Sequence, residues 1–103
     1  MTLGGKQRKF TLMISELIDW AYSHGYELTF GDAYRYPNTP YGRKTSLHKS
    51  RLAVDFNLFK DGAYLTKTED HKPLGEFWES IGGSWGGRFN DGNHYSLAHQ
   101  GRR

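Results

Sequence analysis

The 103-residue sequence contains no cysteine. That excludes disulfides as a source of stability, thiolate nucleophiles, and every metal site built on cysteine sulfur. Long apolar runs are also missing. The stretch from Phe10 to Trp20 is interrupted by Ser15, Glu16 and Asp19, short of the roughly 18 apolar residues that a membrane span requires, so no stable membrane association is expected. The first residues lack a basic segment followed by an apolar core and a small-residue cleavage site, so the expectation is a chain made in the cytoplasm without a signal peptide. Hydrophobic residues make up only 36% of the chain while aromatics reach 16%, so its core must be built largely from rings. The length suits one domain over 1–103, expected to be monomeric, with a flexible tail from about residue 99.

The net charge of +3 mildly favours an anionic partner, whether nucleic acid, an acidic membrane surface or an anionic wall polymer. Its basic residues are dispersed and form no nucleic-acid-binding motif, so nucleic acid is not an expected partner. Phe10, Met13, Ile14, Leu17, Ile18 and Ala21 recur at helical spacing, which predicts an amphipathic helix over about 8–23 with Gly25 as its stop. His24 then reads as a helix-end residue. From Tyr26 to Arg35 the period changes to two, giving a strand with Gly31 and Ala33 on its open face and Arg35 at the edge of the space they leave. Pro37, Asn38, Pro40 and Gly42 then predict a loop.

A second strand is expected over Leu52 to Phe59, with Leu52, Val54, Phe56 and Leu58 facing the core and Asp55 facing away. Lys60, Asp61 and Gly62 predict a hairpin turn into Ala63 to Thr66, and Pro73 predicts the first turn of a helix that ends at Gly82 and Gly83. Trp85 to Phe89 and His94 to Leu97 read as two short strands joined by the turn formers Asn90 to Asn93. His71, in a polar loop, and His99, in the tail, read as solvated.

The chemistry resides in a set of residues: Ser46, His48, Asp55, Asp91 and His94. Two histidines and a carboxylate suffice for a catalytic zinc site, because three protein ligands leave a fourth position for water. Asp91, three residues before His94, could serve as a separate base for that water. Singly, His48 reads as a surface histidine and Asp91 as an ordinary turn residue. As a set they point to metal-assisted hydrolysis.

The stretch Ser46, Leu47, His48, then Asp55, then Trp85-Gly86-Gly87-Arg88-Phe89-Asn90-Asp91-Gly92-Asn93-His94 resembles the zinc D-Ala-D-Ala carboxypeptidase family, peptidase family M15, and within it the phage L-alanyl-D-glutamate endopeptidase endolysins. The resemblance implies an α+β fold, a small antiparallel sheet flanked by two main helices of Hedgehog/DD-peptidase type. It implies Zn2+ on His48, Asp55 and His94, Asp91 as catalytic base, and Arg35 near the substrate carbonyl. Ser46 would orient either His48 or a substrate carboxylate. Relatives acting on D-Ala-D-Ala typically carry Glu at the base position, so Asp91 tilts the expected substrate to the L-Ala-D-Glu bond of the peptidoglycan stem peptide. The enzyme would then act on the wall after release from the cell. A D-Ala-D-Ala carboxypeptidase and a non-catalytic zinc-containing peptidoglycan-binding module are the alternatives. Many relatives have Gly where this chain has Arg51. If that position needs a positive φ, Arg51 would be strained there.

Overall fold

The computed structural model describes residues 2–31 and 51–99. Helix α1 spans Leu3–Ser23 and buries Phe10, Met13, Leu17 and Ala21 along one stripe. It begins five residues before the amphipathic pattern suggests, because the Thr2 side chain accepts a hydrogen bond from the Gly5 N–H at 3.0 Å and caps the first turn. At its other end His24 donates through Nδ1 to the Trp20 carbonyl at 2.7 Å and stacks on the Trp20 ring. His24 is therefore a helix-end residue, and Gly25 at φ 85° turns the chain into the sheet.

Strand β1 (Tyr26–Phe30) pairs antiparallel with β2 (Ala53–Lys60), with Phe30 opposite Phe56 and Tyr26 opposite Lys60. Asp61 and Gly62, both at positive φ, form the two-residue turn into β3 (Ala63–Leu65). This is the geometry that matches strand twist in a tight hairpin. A 3-10 turn over Thr68–His71 leads into α2 (Lys72–Ser80), with Pro73 in its first turn. Gly82 at φ 105° follows that helix, and β4 (Ser84–Trp85) and β5 (His94–Ser96) complete a five-stranded sheet.

The strand expected over Trp85 to Phe89 is instead two residues of β4 followed by a 3-10 turn, Gly86–Phe89. The reason is steric as well as conformational. A Cβ on Gly86 would collide with the Asp91 carbonyl and the His94 side chain, and one on Gly87 with the Trp85 ring. Two glycines thus let the chain coil tightly where a strand would extend.

Val54, Phe56 and Leu58 of β2 join Tyr95, Trp85, Leu74, Trp78 and the α1 stripe in one core. Trp78 is fully buried, and its indole N–H donates to the carbonyls of Ser84 and Ser96, pinning α2 to β4 and β5. The structure corrects the expectation that two of the histidines are solvated. His71 is buried: only 3% of it is exposed, and its Nδ1 shares a 2.7 Å hydrogen bond with the Tyr95 hydroxyl. His99 is half-buried, with Lys6 Nζ donating to its Nδ1 at 3.1 Å.

Candidate metal centre

From Val54 onward the burial of β2 alternates, so with Val54 and Phe56 in the core Asp55 lies on the opposite face. Antiparallel pairing sets Asp55 directly across from His94. Main-chain bonds link Phe56 N–H to the Asn93 carbonyl and Leu97 N–H to the Leu52 carbonyl. These mark the hydrogen-bonded pairs of the ladder, so Asp55 and His94 form a non-hydrogen-bonded pair. In such pairs facing side chains approach most closely.

The two side chains meet with His94 Nδ1 3.3 Å from Asp55 Oδ1, both half-buried. A charge-assisted N–H···O bond closes to about 2.7–2.9 Å. Two donors each about 2.0–2.1 Å from a tetrahedral zinc lie about 3.3 Å apart. The donor chemistry and the spacing of this pair therefore fit a zinc ion. Among the described residues no cluster of three or more His, Cys, Asp or Glu could hold a metal. His48, the third expected ligand, lies outside the described residues, as do Arg35 and Ser46.

Asp91 sits in the turn before β5, where its main chain is held on both sides. Its N–H donates to the Gly86 carbonyl at 2.9 Å and its carbonyl accepts from the His94 N–H at 3.1 Å. The next residue, Gly92, is fixed twice more. Its N–H donates to Thr68 Oγ1 at 3.2 Å, and its carbonyl accepts from the Trp85 indole at 2.7 Å. A side chain at Gly92 would strike the Thr68 backbone, so only glycine lets the turn seat this closely. The Asp91 carboxylate is exposed at the end of this rigid turn and lines a polar cavity of about 210 Å³. The arrangement offers two metal donors on one sheet face and an accessible carboxylate one turn before the second of them.

Sequence reasoning places Asp55 away from the core, Asp91 in a turn and His94 at the start of a strand, and the structure has each there. Thr68 and Trp85, which hold the Asp91 turn, are not foreseen in these roles. The aromatic next to Gly86 and Gly87 was a usable signal for Trp85. Thr68 had none, because it lies 24 residues from Gly92 in the chain. The positive φ that Arg51 would need is present, at 57°.

Residues 41–97, more than half of the chain, match a family model described as D-alanyl-D-alanine carboxypeptidase. That span includes positions 48, 55, 91 and 94 but not 35. No curated protein matches the chain significantly.

Proposed function

The chain belongs to the M15 peptidase family, and from that membership we propose that it is a zinc-dependent peptidoglycan peptidase that cuts the L-Ala-D-Glu bond of stem peptides, in the manner of a phage endolysin. The observation that carries this reading is the Asp55–His94 pair, 3.3 Å apart on the open face of the sheet, with Asp91 on an anchored turn beside it. Asp55, His94 and His48 would hold the metal. A zinc ion bound there supplies a water whose pKa is lowered to about 7 and polarises the substrate carbonyl.

Asp91 accepts one proton as the water oxygen bonds to the L-Ala carbonyl carbon. It then delivers that proton to the D-Glu nitrogen as the C–N bond breaks, and the second water proton passes from the new L-Ala carboxyl group to the released amine, leaving a carboxylate and an ammonium group. Arg35, by its resemblance to the family's arginine, would stabilise the negative charge that develops on the carbonyl oxygen. The anchored turn supports this role, because a base that need not reorganise keeps its reach to the attacking water.

Digestion of purified peptidoglycan with mass spectrometry of the new ends tests the reading. The expected products are L-Ala carboxyl and D-Glu amino termini that disappear with a chelator and return with zinc. Release of D-Ala would instead support a carboxypeptidase, in keeping with the family's description. Asp91→Ala should lower the rate at least a hundredfold while retaining zinc. Joint loss of zinc and activity would refute a base separate from the ligands.

A further inference from the structure

The cavity beside Asp91 originates in the sheet itself. One edge of β2 pairs with β5 at Ala53 to Asp55 and with β3 at Leu58 to Lys60. Past the Phe56 N–H, which still donates to the Asn93 carbonyl, that edge is covered by neither strand until Leu58. The gap opens into the polar cavity, with Phe56 and Asn57 at its base, Lys67, Thr68 and His71 from the 3-10 segment, and Asp91 from the turn.

Chemistry fixes which half of a substrate belongs in this cavity, given the reading of Asp91 as the base. A carboxyl that protonates the leaving amine must reach that nitrogen at hydrogen-bond distance, so the residue whose amine departs lies on the Asp91 side. Charge then narrows its identity. His71 is a neutral part of the lining, because burial pushes its pKa down to about 4 against a smaller opposing effect of Asp70. Lys67 is the one cation lining the cavity among the described residues. The nearby Asp70 carboxylate is engaged by the Lys67 main-chain N–H at 3.1 Å. Asp91 is the one carboxylate lining the cavity among the described residues, and it carries the transferred proton at the stage when it faces the leaving amine.

We propose that this cavity is the leaving-group subsite and that it selects a residue bearing a free carboxylate, which pairs with Lys67. A D-Glu leaving residue carries such a group next to its departing amine.

Two synthetic stem peptides that differ only in an α-carboxylate or an α-carboxamide on the leaving residue test this, using the zinc-loaded protein and kcat/KM as readout. Wild type should favour the carboxylate by roughly tenfold, the scale of one charge-assisted hydrogen bond. Lys67→Arg should keep the preference, Lys67→Met erase it, and Lys67→Glu reverse it. Lys67 is exposed, and matching unfolding midpoints verify that the variants fold. The same ratio in all four proteins would overturn the subsite. If zinc-loaded wild type cuts neither peptide, the peptidase reading fails on its own, and dissociation constants for the two peptides decide the subsite. A carboxylate preference lost in Lys67→Met upholds it, and equal affinities in wild type overturn it.

Discussion

Three non-glycine residues among those described take positive φ: Arg51 at 57°, Asp61 at 52° and Asn90 at 57°. Left-handed backbone costs an ordinary residue roughly 1–2 kcal/mol, and Asp and Asn tolerate it best because their short side chains bond locally. At the β2–β3 turn, Asp61→Asn should therefore be close to neutral. Asp61→Val, which adds β-branching where φ is positive, should lower stability by about 1–2 kcal/mol in urea unfolding. Equal midpoints for the two variants would show that the turn relaxes. Asp61 and Asn90 were legible as turn formers from their neighbours. The need for positive φ at Arg51 was legible only through the resemblance, because nothing in the local sequence distinguishes that arginine from any other.

At the scale of elements, α1, α2, β2 and the β2–β3 hairpin follow from patterns that lie within a dozen or so residues. The stripe from Phe10 to Ala21, the alternation from Val54 to Leu58, and Pro73 ahead of Leu74 and Trp78 each carry their own period or cap. The 3-10 turn at Gly86–Phe89 was not legible, since its cause is crowding by Asp91, His94 and Trp85 that appears only after folding. His71 was misjudged for the same reason, its partner Tyr95 being 24 residues away. That burial makes a pH prediction. The folded pKa is about 4 against an ordinary 6.5, so between these values the unfolded chain takes up a proton that the folded one refuses. Stability due to this group is complete above about pH 6.5 and falls as pH drops towards 4, by on the order of 3 kcal/mol. His71→Gln, which does not titrate, should lose less stability than wild type between pH 7 and pH 4 in urea unfolding. Parallel losses in the two proteins would mean that groups other than His71 set the acid sensitivity.

Across the whole molecule, the hydrophobic core and the candidate metal pair occupy opposite faces of one sheet. Folding and metal binding are accordingly separable. After chelation the protein should keep its helical circular dichroism and unfold cooperatively, and zinc at a hundred times its Kd should add about 2.7 kcal/mol. Loss of structure on chelation would favour the non-catalytic module, in which metal drives folding. The same layout divides the candidate site between two kinds of support. Along β5, His94 faces the open side and Tyr95 the core, an orientation set by pairing with β2 and β4. A residue inserted between Asp91 and His94 would be taken up by the turn, leaving His94 across from Asp55 while displacing the Asp91 carboxylate. The metal pair is thus indifferent to the length of this turn, and the position of the base depends on it.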